Sequence, residues 1–211
     1  MYTPKFNQIA DRNLLIEAMR AYSFAILFGP CGGPDGTEAR TGLRATHLPL
    51  LVRDEGEHGT LLGHFARANP HWKELAGRET LVVFPGPHSY VSPAHYTEPL
   101  SVPTWNYIAI HVYGTLSLIE DEDGRNHLVE ELIEANEPAY LAHWRAMPDG
   151  FRHTMLAGIM GFRIPIDRIE GKFKLSQNRA AEERRNVQDA QAAGSSDERE
   201  LARWMARLGG G

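Results

Sequence analysis

The stretch GKFKLSQNR, residues 171–179, brings together hydrogen-bonding side chains of several kinds and has few apolar residues to bury. In an extended strand, Lys172, Lys174 and Ser176 point to one side, and the polar residues 177–179 follow where the chain turns into a helix. Lysines balance negative charge, and hydroxyl and carboxamide groups satisfy the polar edges of a ring, so this composition suits a polyanionic, heteroaromatic ligand. A plainer interpretation is a helix cap beside two solvated lysines, and the residue types alone leave both open.

The stretch GHFARANP, residues 63–70, combines a cation with the start of a helix. Asn69 is a favourable N-cap residue and Pro70 suits the first helical position, so a short helix is expected directly after the strand. Arg67 leaves the strand beside Phe65 and close to the free amides of that helix start, an arrangement that binds phosphate groups. The alternative, a surface arginine next to an ordinary capped helix, is the more common outcome of such spacing.

The stretch VPTWNY, residues 102–107, places an aromatic ring and a carboxamide at the entrance of a strand. Trp105 can stack on a flat ring, and the amide of Asn106 can bond the polar edge of that ring. The alternative is a tryptophan that belongs to the hydrophobic core at the start of its strand, which the general burial of aromatic residues favours.

Familiar catalytic and metal-binding patterns are missing from the sequence. His88 and His95 do not have the spacing of a metal site and no carboxylate joins them, so no metal site is predicted. Neither a glycine-rich phosphate loop nor a G-x-S-x-G nucleophile motif occurs. Cys31 is the single cysteine, which excludes an internal disulfide, and it has no basic neighbour that would activate its thiol. The sequence therefore identifies no catalytic residue.

Composition and charge narrow the class of protein. The 211 residues are 42% hydrophobic and 23% charged, which is typical of a globular protein rather than of a disordered chain. No apolar run approaches the ~20 residues of a membrane helix, and the N-terminus lacks the layout of a signal peptide, so a cytoplasmic protein with no membrane partner is expected. The net charge of -5 gives little support to direct DNA binding, which usually requires a basic surface.

Alternating hydrophobicity predicts a mainly β protein with helices, an α+β fold. The clearest strand is 106–119, where apolar residues occupy every second position, so one face is buried and the sheet is antiparallel. Further strands are predicted at 24–28, 43–52, 60–68 and 79–86. The second and third of these are expected to pair as a β-hairpin. Residues 29–42 read as a loop rich in Gly and Pro, and Pro165 makes 159–171 an edge or bulged strand.

Helical periodicity and capping residues predict helices around these strands. Asp11 suits the N-cap of a helix over 11–22, and Ser195 with Glu198 forms a capping box for the last helix. An apolar stripe on that last helix consists of Leu201, Trp204, Met205 and Leu208. Other helices are predicted after Asn69 and over 127–137, 138–146 and 179–193. About six antiparallel strands with helices at both ends and between them indicate a small β-barrel with helical additions.

Six blocks of the sequence, taken in order, resemble the PaiB-like family of FMN-binding split-barrel proteins, known as negative transcriptional regulators. They are MYTPKF (1–6), HLPLL (47–51), GHFARANPHW (63–72), FPGPHSYVSP (84–93), VPTWNY (102–107) and GKFKLSQNR (171–179). One such block would be unspecific, whereas six in order over nearly the whole chain are specific. The resemblance implies a six-stranded antiparallel split β-barrel of the FMN-binding type with flanking helices. It also implies a homodimer that binds FMN where the subunits meet. The length of the chain predicts a single domain over 1–211, and the helical C-terminal appendage at 180–211 departs from the family pattern.

The resemblance further implies which residues contact the flavin. In similar split-barrel flavoproteins a strand pair that looks like RATHLP and GHFARANP supplies the phosphate contacts, which carries over to Arg44, Thr46, His47, Arg67 and Asn69. Ring contacts in the wider fold often come from the partner subunit, and the matching residues here are Trp105, Asn106, Lys174, Ser176 and Gln177. The polar stretch at 171–179 would then match a dianionic phosphate and a ring of alternating donors and acceptors.

Three functions remain open from the sequence. The resemblance implies an FMN-binding regulator that affects transcription directly or through a partner protein, although no helix-turn-helix motif is evident. Similar split-barrel enzymes imply an FMN-dependent oxidoreductase on a small molecule, resembling pyridoxamine-phosphate-oxidase-like enzymes, in which His64, His111 or Tyr90 could assist proton transfer. The third function is that of a dimeric module that has lost flavin binding, or that holds haem or another flat ligand.

Overall fold

The structure, a computed structural model, describes residues 1–31 and 42–209 of the chain. Its strands are β1 (Gln8–Ile9), β2 (Phe24–Cys31), β3 (Gly42–Pro49), β4 (Leu51–Arg53), β5 (Thr60–Ala66), β6 (Glu79–Val91), β7 (Thr104–Thr115), β8 (Ser117–Ile119), β9 (Ile159–Pro165) and β10 (Arg168–Lys174). Its α-helices are α1 (Arg12–Ala21), α2 (His71–Leu75), α3 (Glu122–Asn136), α4 (Leu141–Ala146), α5 (Asp149–Ala157), α6 (Ala181–Ala192) and α7 (Ser196–Gly209). None of the helices in these ranges is long and apolar enough to span a membrane.

The strands form two antiparallel sheets. Six strands follow the order β1-β10-β7-β6-β2-β3, and four follow the order β4-β5-β9-β8. The registers of β1 with β10, β2 with β3 and β6, β4 with β5, and β9 with β5 and β8 are all antiparallel. The prediction of an α+β fold built on a six-stranded antiparallel sheet with flanking helices is therefore confirmed. The second sheet of four strands adds to what the sequence predicted.

The chain forms two compact units. The first unit comprises Met1–Leu15, Pro85–Ile110 and Glu170–Gly211, and the second comprises Ile16–Phe84 and His111–Ile169. Each unit is therefore assembled from segments that are distant in the sequence, and each has a hydrophobic core of its own.

The second unit contains the four-stranded sheet and a core of aromatic and aliphatic side chains. Phe65 of β5 and Phe162 of β9 are both fully buried, and their ring centroids are 4.9 Å apart. Gly114 lets β7 come close to β9, because a Cβ at this position would lie 2.2 Å from the carbonyl oxygen of Pro165. The close packing of this region therefore depends on a residue without a side chain.

The first unit contains the helical pair α6 and α7. Trp204 of α7 packs edge-on against Phe173 of β10, with 5.1 Å between the ring centroids. The predicted capping box is confirmed, because the backbone N–H of Ser195 donates to the Glu198 carboxylate at 2.7 Å and the backbone N–H of Glu198 donates to the Ser195 hydroxyl at 3.4 Å. The apolar stripe of the last helix is therefore placed by its cap and held by the core of this unit.

The predicted hairpin of 43–52 with 60–68 is wrong for most of its length. β3 pairs with β2, so that Thr46 lies opposite Leu27, and only the short strand β4 pairs with β5. Leu50 is buried between β3 and β4, at the point where the chain leaves one sheet for the other. A local pattern of alternation cannot reveal this change, because side chains alternate with the same period in both sheets.

Two further strand predictions need correction. The strand predicted over 106–119 ends at Thr115, and β8 is a separate strand in the other sheet, although the alternation of buried residues along β7 is confirmed. Pro165 is the last residue of β9, and β9 lies between β5 and β8, so the prediction of an edge strand is wrong. A proline is tolerated in an inner strand here because it occupies the end of that strand.

Some predicted boundaries also shift. Asp11 caps α1 as predicted, since its Oδ1 accepts from the backbone N–H of Asn13 at 2.9 Å. α3 begins at Glu122, earlier than predicted, because the Asp121 side chain accepts from the backbone N–H of Gly124. Of the loop predicted over 29–42, the first three residues belong to β2 and the last to β3, and residues 32–41 lie outside the described part of the chain.

Candidate functional site

Thr46, Asn69 and His71 form a hydrogen-bonded group in the second unit that joins β3 to the start of α2. Thr46 Oγ1 and His71 Nδ1 are 2.8 Å apart, and the Asn69 amide donates to Thr46 Oγ1 at 3.4 Å. Asn69 Oδ1 accepts from the backbone N–H of His71 at 3.1 Å. The short helix predicted after Asn69 is thus confirmed, and it begins at His71 with Pro70 immediately before it.

Arg44 supplies the positive charge of this group. It lies on the same face of β3 as Thr46, and its guanidinium pairs with the carboxylate of Glu74 at 3.2 Å. The side chain of Arg44 is 32% exposed and that of Glu74 only 7%, and one carboxylate oxygen of Glu74 is buried without a hydrogen-bond partner. A guanidinium has several N–H donors in a fixed plane, so the ion pair leaves donors that can bind a second anion.

His71 lies under this group as a neutral ring. It is fully buried, and its Nε2 has no hydrogen-bond partner within the described part of the chain. Burial, and then the positive charge of Arg44, lower the pKa of His71 from 6.5 to about 4. The α2 segment packs this closely because Gly29 of β2 has no side chain, since a Cβ there would lie 2.0 Å from Leu75 Cδ2.

Arg67 is directed elsewhere in the second unit. It follows the last residue of β5 and is exposed, as the surface interpretation of the sequence had it. Its Nε donates to the carbonyl of Ala157 at 2.6 Å, and its backbone N–H donates to the carbonyl of Gly158 at 2.8 Å. One donor of the guanidinium is therefore used to hold the end of α5.

His47 lies on the opposite face of β3 from Arg44 and Thr46, because neighbouring residues of a strand alternate between faces. Its ring stacks on Phe24 of β2, with 6.1 Å between the ring centroids. Of the residues predicted to contact phosphate, the structure brings together Arg44, Thr46 and Asn69, and it separates His47 and Arg67 from them.

Asn106 and Ser176 form a buried hydrogen bond in the first unit. Ser176 Oγ donates to Asn106 Oδ1 at 3.1 Å, and the Asn106 amide lies 3.8 Å from Met205 Sδ. Asn106 is fully buried and Ser176 is 3% exposed. Ser176 has φ of 62°, in the left-handed region that a residue with a side chain adopts only when its surroundings fix it. Because these two side chains hydrogen-bond each other, they hold the start of β7 and the turn after β10 in position.

Gln177 closes the turn after β10. Its Oε1 accepts from the backbone N–H of Leu175 at 2.7 Å, and its amide donates to the carbonyl of Phe173. Both ends of the carboxamide are therefore bound to the turn's own backbone, which fixes the exit of the chain from the strand.

Lys174 and Trp105 lie next to each other in the first unit. Lys174 Nζ donates to Thr104 Oγ1 and to the carbonyl of Trp105, both at 2.5 Å. Burial, and then the positive charges of Lys172 and Arg179, lower the pKa of Lys174. Trp105 is 51% exposed, so the interpretation of this residue as a core tryptophan is wrong. The indole ring can therefore stack on a ligand.

The histidines do not assemble a metal site in the described residues. No group of three or more His, Cys, Asp or Glu side chains within these ranges is arranged to hold a metal ion. His88 instead lies 3.7 Å from the carboxylate of Asp197. Among the side chains considered for proton transfer, burial lowers the pKa of His64, and Tyr90 lies edge-on to Trp105 with 6.0 Å between the ring centroids.

Sequence analysis missed His71 and Glu74. Both lie on α2 three positions apart, a spacing that places them on one face of a helix. The short helix was predicted, and its histidine and glutamate could have been assigned to the face that meets β3. Choosing that face would have required the pairing of β3 with β2, whereas 43–52 was predicted to pair with 60–68.

Comparison with known proteins identifies the family. A family model described as "Putative FMN-binding domain" matches residues 1–168 of the chain. The chain belongs to this family. The Bacillus subtilis protein "Protease synthase and sporulation protein PAI 2" is 34% identical over 194 residues, which cover 89% of this chain and 87% of the relative. An uncharacterized protein of Emericella nidulans is 31% identical over 184 residues, which cover 69% of this chain and 73% of the relative.

Solved structures share the fold at low sequence identity. The flavocytochrome Anf3 from Azotobacter vinelandii superposes with a TM-score of 0.58 at 15% identity, over 82% of this chain and 72% of that chain. A conserved hypothetical protein from Mycobacterium tuberculosis superposes with a TM-score of 0.52 at 10% identity, over 85% of this chain and 94% of that chain. At these identities the likeness concerns the fold alone. The predicted split barrel with flanking helices and the resemblance to the PaiB-like family are both confirmed.

The state of His71 can be tested by titration. We expect its ring to stay neutral as the pH falls from about 7 to about 5 and to take up a proton near pH 4, because burial and Arg44 oppose the charged form. The unfolded chain binds this proton first, near pH 6.5, so the folded protein loses up to about 3 kcal/mol of stability between about pH 6.5 and about pH 4. NMR of the histidine ring protons, assigned with His71→Gln, measures this. A His71 signal that titrates between about pH 6 and 7 would contradict the neutral, buried ring.

Proposed function

We propose that the protein binds FMN as a homodimer and acts as a negative regulator of transcription. Membership of the "Putative FMN-binding domain" family supports the cofactor. The similarity to PAI 2, whose name contains the words protease synthase and sporulation, supports a role in controlling other genes. The observation that carries the proposal is the group around Arg44, a partly exposed guanidinium beside a hydroxyl and over a neutral histidine ring. Bound FMN would supply one- or two-electron redox chemistry.

The Arg44 group fits the phosphate of FMN in residue type and in charge. A guanidinium and a hydroxyl are both donors that bind phosphate oxygens, and Asn69 holds the Thr46 hydroxyl in position. Glu74 opposes binding, because its carboxylate pairs with Arg44 and adds a negative charge close to the phosphate. A guanidinium nitrogen of Arg44 lies 3.2 Å from that carboxylate, and the N–H donors that do not face Glu74 are those that would bind the phosphate.

Trp105 and Lys174 fit the isoalloxazine ring. The exposed indole can stack on a flat ring, and the ammonium can donate to a ring carbonyl. Asn106 and Ser176 contribute by holding the strand start and the turn that carry these two residues, and Gln177 by closing the turn. In a homodimer of the kind that the family resemblance implies, one protomer would bind the phosphate and its partner would contact the ring.

An apolar sheet face in the second unit supports the homodimer. We call it the outer face; it consists of alternate residues of three neighbouring strands, namely Phe24, Ile26, Phe28, Pro30, Leu43, Ala45, His47, Pro49, Leu81 and Val83. All of these residues are half-buried or exposed, with Leu43 81% and Phe24 61% exposed. A contiguous apolar patch of this kind is uncommon on a monomer and marks an interaction surface. A second copy of the chain is the partner that this face would take in the proposed dimer.

The charges of α7 bear on how a regulator would act. Arg199, Arg203 and Arg207 follow each other at four-residue spacing and are exposed, which resembles a phosphate-binding stripe. The first turn of α7, however, carries Asp197 and Glu198, and a recognition helix would present these positions to the bases. The charge distribution therefore favours action through a partner protein over direct binding of an operator.

An FMN-dependent oxidoreductase is the second candidate. It is favoured by a pocket in the first unit that opens beside Trp105 and is lined by Lys172 and Lys174. Such a pocket leaves room for a small molecule next to a residue proposed to contact the flavin ring. The protein would then orient the substrate, and the cofactor would carry the electrons.

Replacing Arg44 with Met tests whether this residue binds the phosphate of FMN. We expect Arg44→Met to weaken FMN binding by roughly 10- to 150-fold, which corresponds to the loss of about 1.5–3 kcal/mol for a hydrogen bond to a charged group. Absorbance and fluorescence titrations of the flavin-free protein measure the dissociation constant.

Arg53→Met is the matched control for this experiment. Arg53 belongs to the same unit, is also 32% exposed and also pairs with a glutamate, Glu131, so the control reproduces the loss of an ion pair. FMN affinity in this variant is expected to equal that of the unmodified protein. An unchanged affinity in Arg44→Met, or an equal loss in both variants, would refute the assignment of Arg44.

Replacing Leu43 with Asp tests the dimer. We expect Leu43→Asp to convert the dimer into monomers, because it would bury a charge in an apolar interface. Analytical ultracentrifugation at micromolar concentration measures the mass. The control is Phe151→Asp, which changes an apolar residue of the same unit that is 48% exposed but lies on α5, outside the outer face. A dimeric Leu43→Asp variant, or a monomeric unmodified protein, would rule out this interface.

Gene deletion separates the two candidate functions. If the protein is an FMN-dependent negative regulator, its deletion should raise the transcripts of a defined set of genes. The Arg53→Met gene should restore repression, whereas Arg44→Met should not. RNA sequencing of these strains, with NADH oxidation by the FMN-loaded protein assayed in parallel, provides both measurements. Unchanged transcripts together with steady NADH turnover above that of free FMN would favour the oxidoreductase and end the regulator proposal.

A further inference from the structure

A pocket of about 470 Å³ in the first unit has aromatic walls. Four rings line it, those of Tyr2, Phe6, Trp105 and Tyr107. Trp105 and Tyr107 occupy alternate positions of β7 and so lie on one face of that strand. Tyr2 and Phe6 come from the N-terminal segment before β1. Walls of this kind favour a flat, aromatic occupant.

The same pocket contains two cations, Lys172 and Lys174, that have no counter-charge among the residues the structure describes. Lys172 is only 9% exposed, and its Nζ donates to the carbonyl of Tyr2 at 3.0 Å and lies 5.3 Å from the centre of the Tyr107 ring. Lys174 donates to a hydroxyl and a carbonyl. Within the described part of the chain, no carboxylate lies at ion-pair distance from either lysine. Two neighbouring, desolvated ammonium groups raise the free energy of the protein unless an anion binds between them.

Asn7 adds an unsatisfied acceptor to the pocket wall. It is 2% exposed, and its Oδ1 is buried without a hydrogen-bond partner among residues 1–31 and 42–209. A buried carboxamide oxygen without a donor is destabilising, and native proteins seldom leave such groups unpaired without a reason. A ligand that carries an N–H would satisfy it.

We propose that this pocket binds a planar aromatic carboxylate bearing an N–H donor, a molecule distinct from FMN that lies next to the flavin ring. Trp105 and Lys174 would border both molecules, and Lys172 would bind the carboxylate. The two lysines lie on alternate positions of β10, roughly 7 Å apart along the strand, and directly against the aromatic walls. The anionic group of the ligand must therefore be attached to its ring. In FMN a flexible ribityl chain separates the ring from the phosphate, so the flavin does not match this arrangement. This proposal adds to the proposed function the class of small molecule that the protein binds besides FMN. It rests on the proposed function only for what such a molecule does once it is bound.

Three small probes separate the features of the proposed ligand. 2-Aminobenzoate has the ring, the carboxylate and the N–H, benzoate lacks the N–H, and aniline lacks the carboxylate. Calorimetric titration of the FMN-loaded protein should give the tightest binding for 2-aminobenzoate. Benzoate should bind roughly two- to tenfold more weakly, the range for one neutral hydrogen bond, and aniline more weakly still.

Substitutions of pocket residues show which residue causes each difference in affinity between the probes. Lys172→Met should weaken the binding of both 2-aminobenzoate and benzoate at least roughly tenfold, as expected for a charged hydrogen bond. The control is Lys5→Met, which changes an exposed lysine between the wall residues Pro4 and Phe6 and should leave the affinity for both probes unchanged. Asn7→Leu should reduce the affinity of 2-aminobenzoate to that of benzoate and leave benzoate unchanged. These variants test the pocket separately from FMN binding, because Lys172 and Asn7 are not among the residues assigned to FMN.

Two results would overturn the proposal. One is the absence of any difference between the three probes. The other is loss of 2-aminobenzoate binding when the flavin-free protein is loaded with FMN, which would make the pocket a part of the flavin's own site. FMN affinity is measured independently through the Arg44→Met and Arg53→Met pair, so a failure of flavin binding is distinguishable from a failure of this pocket.

Discussion

The hydrogen bond between Ser176 and Asn106 is the constraint on which the polar face of the first unit depends. It ties the beginning of β7 to the turn after β10, and it holds Ser176 in a left-handed conformation. Loss of either partner would leave a buried polar atom unsatisfied, which costs about 1–3 kcal/mol. With Asn106 fixed on the buried side, the alternation of β7 must direct Trp105 and Tyr107 to the opposite side. The aromatic wall of the pocket is thus a consequence of a buried amide.

In the second unit, too, a hydrogen-bonded pair of neutral side chains lies near a cation, but this cation has a carboxylate partner. A neutral pair, the half-buried Thr46 and the buried His71, lies close to a partly exposed cation, as Asn106 and Ser176 lie near Lys174. Arg44 is partly neutralised by Glu74, whereas the pocket lysines have no carboxylate partner in the described residues. An anion that binds Arg44 must therefore compete with a carboxylate, whereas an anion that binds the lysines would relieve their mutual repulsion. The two groups are suited to different anions for this reason.

Features encoded by neighbouring residues could be predicted from the sequence. The alternation along β7, the Asp11 cap and the Ser195–Glu198 capping box depend on residues a few positions apart, and all are confirmed. The change of sheet at Leu50 depends on partners distant in sequence, which a local pattern does not contain. The turn-closing role of Gln177 and the unpaired oxygen of Asn7 likewise appear only once the fold is built. His47 is a different case, because its adjacency to Thr46 already places the two on opposite faces of any strand.

Strand β3 connects the two properties proposed for the second unit. Arg44 and Thr46 point towards α2, whereas Leu43, Ala45 and His47 belong to the outer face. The proposed phosphate-binding residues and the proposed dimer contact would therefore lie on one strand. They occupy alternate positions, whose side chains point to opposite faces of the sheet. A slip of one residue in the pairing of β3 with β2 would exchange the two sets of side chains. The register that Thr46 holds through His71 thus fixes the anion-binding face, and by the same alternation it fixes the apolar face that a second copy would cover.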